Sequence, residues 1–537
     1  MRVADVVART LANFGASRSF GMPGGEVLTV VDALNAAGIE FILARQETSA
    51  AIMAAGAATV TGAPGVLVTT VGPGLANAVN GIADASQEHA PLIVLSGVVD
   101  HAVRGRYTHQ VIDQKQLLRA VVKGCFEVES EGAGAVVARA IELAMSEPMG
   151  PVLIEIAPGT AQLLAADGDR PCAPPRTLKP LYAPTGEAMD TVRAALALAQ
   201  RPLIIAGFDA ARFDAADPIR KLSERYACPV LTTYKGKGVL AESHPLSLGA
   251  AGLSPLADRH LLPLVKQADV VVLAGYDPIE MRQGWLNPFN DAAEIIEITP
   301  RAPDHGMHRV SLRIEGGIAA VLDAVLTSGT GRAETWIDKA PQKTKTALQQ
   351  AFAPPAGWSA HGAIAALQRR LPPHATVTVD SGAHRILLSQ MIKIERPLGL
   401  LQSAGFCTMG AALPLAIGVK SMNPSQPVFA VLGDGGLEMG LGELATLRDA
   451  KLALTVIVFQ DESLSLIELK QRQLKLADAG VRLGRTAYED IARAFGGNGI
   501  RVASADQFDA ALEAAAGADT FSLIVCDIKA TDYADRI

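Results

Sequence analysis

The chain has few of the features that mark nucleic-acid-binding or membrane proteins. Aromatic residues make up 4% of its 537 residues, charged residues make up 19%, and the formal net charge is −7. An acidic chain without a basic cluster is not expected to bind nucleic acid. Its longest apolar runs are too short to cross a bilayer, and its first ten residues resemble an amphipathic helix rather than a signal peptide. We therefore expect neither a nucleic-acid partner nor a membrane partner.

Cysteine is also scarce. The five cysteines are scattered, and no two of them have the Cys-x-x-Cys spacing of zinc sites and redox motifs. This pattern predicts neither a zinc site nor a disulfide framework. Unpaired thiols fit a reducing compartment, so we expect a cytoplasmic protein. The residues are Cys125, Cys172, Cys228, Cys407 and Cys526.

What the chain has in abundance is alternating strand and helix patterns. Hydrophobic residues reach 49%, and the length is too great for a single core, which suggests about three domains. Short apolar runs alternate with helical spacing in residues 1–165, 187–327 and 358–537, and polar, proline-containing linkers separate these segments. Such alternation predicts an α/β fold with three consecutive doubly wound parallel sheets.

The most informative stretch is Leu-Gly-Asp-Gly-Gly-Leu at residues 432–437. Asp434 follows one predicted strand, and Asp461 follows the next strand 27 residues later, so both acids should lie at the carboxyl edge of a parallel sheet. Gly435 and Gly436 would let backbone N–H groups approach an anion. Two carboxylates beside an anion indicate a divalent cation, and Mg²⁺ is the natural candidate. The alternative is an ordinary glycine turn with a solvated acid.

This stretch resembles the diphosphate-binding motif of thiamine-diphosphate enzymes, although Gln460-Asp461 stands where Asn-Asn is usual. The resemblance implies thiamine diphosphate and Mg²⁺ as cofactors. It implies Asp434, Asp461 and the backbone carbonyl of Ser463 as metal ligands. It also implies cofactor contacts from these residues and their neighbours, which are Gly433, Asp434, Gly435, Gly436, Ser463, Leu464 and Ser465.

Part of the N-terminal segment resembles the pyrimidine-binding domain of the acetolactate synthase branch of that family. The resemblance lies in Phe-Gly-Met-Pro-Gly-Gly at 20–25, Arg-Gln-Glu at 45–47 and Gly-Pro-Gly-Leu-Ala-Asn at 72–77. It implies that Glu47 hydrogen-bonds the aminopyrimidine ring and drives proton removal from the thiazolium carbon. It also implies that Pro23, Gly24 and Asn77 contact the cofactor. The alternative for Glu47 is a helix-start acid that the helix dipole favours.

Two further loops resemble cofactor-contacting segments of the family. In Ser-Ala-Gly-Phe-Cys-Thr-Met-Gly at 403–410, Met409 would be the apolar wedge that bends the cofactor, and the carbonyl of Cys407 would accept its 4′-amino group. Cys407 replaces the usual glycine, so we expect a negative φ there. At 380–385, Gly382, Ala383 and His384 would contact the diphosphate. The alternative for Met409 is a methionine that fills the core. The alternative for residues 380–385 is an ordinary strand-to-helix turn.

One loop of the first domain is expected to face the substrate. In Tyr-Thr-His-Gln at 107–110, Gln110 matches a residue that lines the substrate cavity in the acetolactate synthase branch, whereas His109 does not match. We predict catalytic roles for both residues. His109 is either a proton donor or a surface histidine.

The segment after the second acid distinguishes branches of the family. Simple pyruvate decarboxylases carry a catalytic Glu where Ile467 stands, and carboligases carry an apolar residue. Nearby, Glu468 and Lys470 either form a solvated face or include a residue that meets an anionic acceptor. FAD, which some synthases hold, is an alternative that residues 275–282 do not favour, since they lack the usual Phe-Asp-Asp-Arg-like stretch.

We therefore expect decarboxylation of a small 2-oxo acid with carboligation to an acceptor carbonyl. A non-ligating decarboxylase or C–C lyase with the same cofactor remains the alternative, and an idle binding protein is a third. The family also implies a homodimer or homotetramer whose active sites lie between chains.

Overall fold

A computed structural model describes residues 1–175, 185–534 and 537. Three six-stranded sheets follow one another along the chain, and every strand pairing in them is parallel. This confirms the predicted α/β class. Residues 176–184 of the predicted linker at 166–186 lie outside the described residues. No described helix combines the length and apolar character needed to cross a membrane.

The first sheet has the order β2-β1-β3-β4-β6-β5. Its strands are β1 (Arg18–Met22), β2 (Glu40–Leu43), β3 (Gly65–Thr69), β4 (Leu92–Gly97), β5 (Cys125–Glu127) and β6 (Val152–Ile156). The accompanying helices are α1 (Val3–Asn13), α2 (Leu28–Ala36), α3 (Glu47–Thr61), α4 (Pro73–Gln87), α5 (His101–Arg104), α6 (Gln114–Leu118), α7 (Ala133–Met145) and α8 (Pro158–Gln162).

The second sheet has the order β12-β11-β10-β7-β8-β9. Its strands are β7 (Pro202–Ala206), β8 (Val230–Thr233), β9 (Ser247–Ala251), β10 (Val270–Ala274), β11 (Glu294–Thr299) and β12 (Leu312–Glu315). Its helices, with the one that follows in the second linker, are α9 (Glu187–Leu198), α10 (Phe208–Arg212), α11 (Ala216–Arg225), α12 (Pro255–Val265), α13 (Ile318–Leu326) and α14 (Ala340–Ala351).

The third sheet has the order β14-β13-β15-β16-β18-β17. Its strands are β13 (Thr376–Val379), β14 (Leu400–Leu401), β15 (Val428–Gly433), β16 (Thr455–Gln460), β17 (Asn498–Val502) and β18 (Ser522–Asp527). Its helices are α15 (Ala360–Arg370), α16 (Ala383–Met391), α17 (Ala412–Met422), α18 (Asp434–Gly440), α19 (Glu443–Asp449), α20 (Ser465–Gln473), α21 (Tyr488–Ala494) and α22 (Ala505–Ala516).

The sequence patterns did not predict β5, β9, β12, β14 and β17, and each of them is an outermost strand of its sheet. An interior strand of a parallel sheet is buried on both faces and is therefore continuously apolar. An edge strand lacks that requirement. The strand β12, for example, reads Leu-Arg-Ile-Glu and buries one residue fully, so no apolar run announces it.

The first and third domains pack through helices α3 and α17. Glycines allow the close approach, since a Cβ at Gly418 would lie 2.1 Å from Met53 O and a Cβ at Gly56 would lie 2.9 Å from Leu415 O. Alanines of both helices, such as Ala54 and Ala416, belong to one shared apolar core. This packing brings the starts of helices α3 and α4 near the loops of the third domain.

Candidate active site

Asp434 and Asp461 lie at the carboxyl ends of two adjacent strands. Strands β15 and β16 pair in parallel, with Gly433 opposite Phe459, so the acids that follow them are neighbours at one sheet edge. Asp434 begins helix α18 and accepts hydrogen bonds from Gly435 N at 2.9 Å and Glu462 N at 2.7 Å. It therefore ties the glycine turn of one strand to the turn that follows the next.

The electrostatics of this pair suit a cation. Burial is the main cause that raises the pKa of Asp434, and burial together with the negative charge of Asp434 raises the pKa of Asp461 to about 7. Asp461 accepts hydrogen bonds from Ser463 N at 3.1 Å and from Ser465 Oγ at 2.5 Å. A bound divalent cation would relieve the repulsion between the two carboxylates.

The donor set fits Mg²⁺ only with help from other oxygens. No three described His, Cys, Asp or Glu side chains form a group that could hold a metal. Mg²⁺ usually takes one or two carboxylates, and substrate phosphates and waters complete its coordination. Asp434 and Asp461 can supply the carboxylates, and the carbonyl of Ser463 and a diphosphate would supply further oxygens.

Glu468 is not part of a solvated face, so that alternative is wrong for this residue. Its side chain is 2% exposed, and it accepts hydrogen bonds from Ser463 Oγ at 2.5 Å and Arg482 Nη2 at 2.8 Å. Arg472 pairs with it as well. Lys470, two residues on, is exposed. Glu468 thus anchors the turn that carries Ser463.

The turn at 382–384 lies against the same edge. His384, near the start of helix α16, packs its ring edge-on to Phe459 at 6.3 Å between centroids. A Cβ at Gly433 would lie 3.3 Å from His384 Cε1. Burial lowers the pKa of His384 to about 3, and its Nε2 has no hydrogen-bond partner among the described residues. A neutral, unpartnered imidazole nitrogen at this edge is available to a ligand.

Sequence reasoning passed over Asp380, which is fully buried beside this turn. Its carboxylate accepts hydrogen bonds from Gly410 N and Ala411 N, both at 2.9 Å, and burial raises its pKa to about 6. A Cβ at Gly436 would lie 2.0 Å from Asp380 Oδ2. Its position directly after the strand that ends at Val379 was the available signal, because acids at strand ends face the site edge.

Cys407 overturns the expectation of a negative φ. Its φ is +55°, in the left-handed region, which glycine adopts readily and other residues adopt at a cost. The backbone at this position therefore keeps a conformation that suits glycine, although the side chain is cysteine. Met409, two residues on, has its Cε 3.8 Å from the Cβ position of Gly435. The structure thus brings the methionine loop against the glycine turn.

Glu47 begins helix α3 and is 7% exposed. Asn77 on helix α4 donates a hydrogen bond from Nδ2 to Glu47 Oε2 at 2.5 Å. A Cβ at Gly74 would lie 3.3 Å from the other carboxylate oxygen. Two of the residues predicted from separate segments are therefore in direct contact, and a glycine keeps one face of the acid clear.

Pro23 and Gly24 follow strand β1, at the carboxyl edge of the first sheet. A Cβ at Gly24 would lie 2.2 Å from Thr70 Oγ1, and that hydroxyl donates to Glu26 Oε2 at 2.6 Å. Glycine is thus needed where the turns after β1 and β3 meet. Glu26, which the sequence patterns did not indicate, also lies where these two turns meet.

His109 and Gln110 lie in the loop between helices α5 and α6, and both are exposed. Gln110 has a φ of +61°, and a Cβ at Gly72 would lie 2.1 Å from Gln110 O. Buried Gln114 accepts a hydrogen bond from Gly72 N at 3.0 Å and donates to Glu155 at 3.1 Å. The loop is therefore fixed against the start of helix α4, and His109 itself contacts the edge of the Tyr107 ring.

A cavity of about 570 Å³ lies between the first and third domains within one chain. The first domain contributes Gln46, Ser49 and Asn77 to its wall, and the third contributes Phe406 and Met409. Glu47, Asp434 and Asp461 do not line it. The third-domain residues contact one another and Glu47 contacts Asn77, and no hydrogen bond or ion pair between described residues joins these two groups.

The comparisons with known proteins match the order of the three domains. Three models of thiamine pyrophosphate enzymes match the chain. They are the N-terminal TPP binding domain over residues 1–117, the central domain over 189–325 and the C-terminal TPP binding domain over 380–526. Their order is that of the three sheets.

Curated relatives align along nearly the whole chain. The acetolactate synthase of Bacillus subtilis (strain 168) is 30% identical over 100% of this chain and 94% of its own length. The large subunit of acetolactate synthase isozyme 2 from Escherichia coli (strain K12) is 29% identical over 97% and 94%. The probable acetolactate synthase large subunit of Methanocaldococcus jannaschii is 28% identical over 96% and 90%.

Three parallel α/β domains, with glycine turns and acids at the sheet edges, define a cofactor-dependent enzyme of the α/β class. The family matches extend over all three domains, and the chain belongs to the thiamine pyrophosphate enzymes. Within that family it is an enzyme of the acetolactate synthase type.

Proposed function

We propose that this enzyme uses thiamine diphosphate and Mg²⁺ to decarboxylate a small 2-oxo acid and to ligate the product to an acceptor carbonyl. The observation that carries the proposal is the buried Asp434 beside the half-buried Asp461 at adjacent strand ends, next to the methionine loop. The names of the relatives support carboligation. The cofactor supplies the carbon nucleophile when bound.

The residues of this chain would divide the remaining work. Asp434, Asp461 and the carbonyl of Ser463 would hold the metal, and the glycine turn would face the diphosphate with its N–H groups. Met409 would support the cofactor from its apolar side. Glu47, which Asn77 orients through a 2.5 Å hydrogen bond, would exchange a proton with the aminopyrimidine.

The neighbours of these residues would complete the binding site. They are Pro23, Gly24, Gly382, Ala383, His384, Cys407, Gly433, Gly435, Gly436, Leu464 and Ser465. We propose that Gln110 and His109 face the substrate, because their loop lies against the start of helix α4 near Glu47.

Product analysis tests the reaction. Pyruvate with thiamine diphosphate and Mg²⁺ should release CO₂ and yield acetolactate or acetoin. Ile467 supports ligation, since it places an apolar, 44% exposed side chain where simple decarboxylases carry an acid. A product consisting only of free acetaldehyde would favour the non-ligating alternative. Protein without cofactor serves as the control, and a panel of other 2-oxo acids extends the test if pyruvate is not turned over.

We propose that two chains share each active site. Glu47 and the Asp434 pair form separate groups within one chain, and apolar side chains around the third-domain group are exposed, with Phe406 at 45% and Met439 at 56%. A partner chain would cover them and would bring its own Glu47 to the cofactor. A homodimer or a homotetramer of such dimers satisfies this requirement.

Complementation tests this arrangement. We expect Glu47→Gln chains and Asp434→Ala chains to be inactive separately, and we expect activity to return when they exchange subunits. With random mixing, half of the dimers are mixed and one of their two sites is intact, so about a quarter of the wild-type activity should appear. If mixed dimers form but stay inactive, each site is built from one chain. Mixing either variant with itself is the control.

FAD is not part of the proposal. The crevice of the central sheet lies between β7 and β10, where the strand order reverses. There Gly207 N donates to Ala274 O at 3.0 Å, and a Cβ at Gly207 would lie 2.2 Å from Gly275 O. Asp209, just beyond, pairs with Arg301 at 2.9 Å. These groups occupy part of the crevice, which supports leaving FAD out of the proposal.

The proposed location is the cytoplasm. All five cysteines are free, and Cys228 and Cys526 are buried. Burial raises the pKa of both thiols, which keeps them as neutral core residues rather than reactive thiolates. Free, scattered cysteines fit a reducing compartment.

A further inference from the structure

The loop that carries Cys407 and Met409 is held by carboxylates from another domain. Ser403 Oγ donates a hydrogen bond to Asp84 on helix α4 of the first domain. The same hydroxyl accepts a hydrogen bond from Thr408 N at 2.9 Å. Asp84 is 4% exposed. One buried carboxylate thus anchors the hydroxyl that links residues 403 and 408 within the loop formed by residues 403–409.

Glu88, one helical turn beyond Asp84, binds the same loop. Its Oε1 accepts hydrogen bonds from Ala404 N at 2.7 Å and Gly405 N at 2.6 Å. Its Oε2 accepts one from Lys235 Nζ of the central domain at 2.5 Å. All three domains therefore meet at the loop, and Glu88 satisfies two of its backbone N–H groups.

The opposite side of the loop is fixed from within the third domain. Arg385 donates to Ser403 O at 2.6 Å and to Cys407 Sγ at 3.3 Å, and Asp380 accepts from Gly410 N just beyond the loop. A left-handed conformation at a cysteine is strained and persists only where the surroundings enforce it. These contacts are the surroundings that enforce it at Cys407.

Burying Asp84 close to Glu88 is electrostatically unfavourable. Burial, and then the nearby charge of Glu88, raise the pKa of Asp84 to about 7. Apolar packing would join two domains without burying carboxylates. The carboxylates fix the conformation of the loop, because each accepts hydrogen bonds from specific loop atoms and so sets the backbone path.

We propose that Asp84 and Glu88 are positioning residues that hold the Cys407 carbonyl and Met409 in the geometry that the cofactor requires. This rests on the proposed function, because it assigns the acids a task only if the loop contacts thiamine diphosphate. Helix α4 then serves catalysis twice, through Asn77 at Glu47 and through Asp84 and Glu88 at the loop.

The first test uses the protein without cofactor. Asp84→Ala should speed amide hydrogen exchange at Thr408 by at least about tenfold, because its N–H loses the anchored Ser403 hydroxyl. Glu88→Ala should do the same at Ala404 and Gly405. The matched control is Asp258→Ala, which removes a buried acid that accepts from Trp285 Nε1 at 2.9 Å in the central domain. Exchange in the loop that equals the wild-type rate in both variants overturns the proposal.

The second test uses the loaded enzyme. Asp84→Ala should lower kcat roughly 10- to 100-fold, the scale of a small misplacement of reacting groups, and should change the circular dichroism of the bound cofactor. Asp84→Asn keeps an acceptor for Ser403 and should restore most of kcat, which also covers the case in which the alanine variant fails to fold. Asp258→Ala should leave kcat within about a factor of two.

The outcomes separate the two proposals. Equal losses of kcat in Asp84→Ala and Asp258→Ala would indicate general destabilisation and overturn the positioning role alone. A wild-type protein that binds no thiamine diphosphate overturns the proposed function and the positioning role together. Unchanged kcat in folded Asp84→Ala, with an active wild type, leaves the function intact and overturns the role of the acids.

Discussion

Asp434→Ala is expected to abolish metal-dependent binding of thiamine diphosphate. The carboxylate lies at the end of β15, is 2% exposed and receives N–H groups from both turns of the site. Its loss would remove a metal ligand and release the turn at Glu462. Removal of a residue that only orients a metal ligand typically lowers metal affinity about 10- to 100-fold. Removal of a ligand itself should lower it at least as much. Calorimetric titration of thiamine diphosphate with and without Mg²⁺ measures the effect.

The neighbouring acid supplies the matched control. Asp461→Asn keeps an oxygen ligand and removes the repulsion that raises the pKa of Asp461, so cofactor affinity should persist. If Asp434→Ala binds the cofactor as tightly as the wild type does, or if a chelator has no effect on the wild type, these acids do not hold a metal.

Glu47→Gln is expected to slow hydrogen–deuterium exchange at the thiazolium carbon while the cofactor stays bound. Loss of a positioned acid–base partner typically costs about 10²- to 10⁴-fold. Glutamine keeps the size of the side chain and an acceptor for Asn77 Nδ2, so the change removes proton transfer and leaves the packing largely intact. Quenched-flow exchange followed by NMR of the released cofactor measures the rate.

A helix-start role for Glu47 predicts a different result. An acid in the first turn of a helix contributes about 0.3–1 kcal/mol through the dipole, and Glu187 at the start of helix α9 is an exposed example. If Glu47→Gln and Glu187→Gln lower the melting temperature alike and exchange at the thiazolium carbon stays at the wild-type rate, then Glu47 only starts a helix.

Local sequence patterns were sufficient to predict the interior strands and the sheet edge at which the acids that follow them lie. Strands β15 and β16 are apolar along nearly their whole length because both faces are buried. Asp434 and Asp461 follow directly, so their placement at one edge required only the assumption of a parallel sheet. The three-domain order and the family could be predicted for the same reason, since they rest on local runs and turns.

The contacts that join distant segments could not be predicted from local patterns, because they depend on how the chain folds. Asp84 meets Ser403 across 319 positions of the chain, and no local pattern distinguishes a buried acid on a helix from a solvated one. The left-handed conformation of Cys407 and the burial of Glu468 have the same origin. Their energies depend on partners that the fold supplies, whereas a strand or a glycine turn carries its own cause in a few adjacent residues.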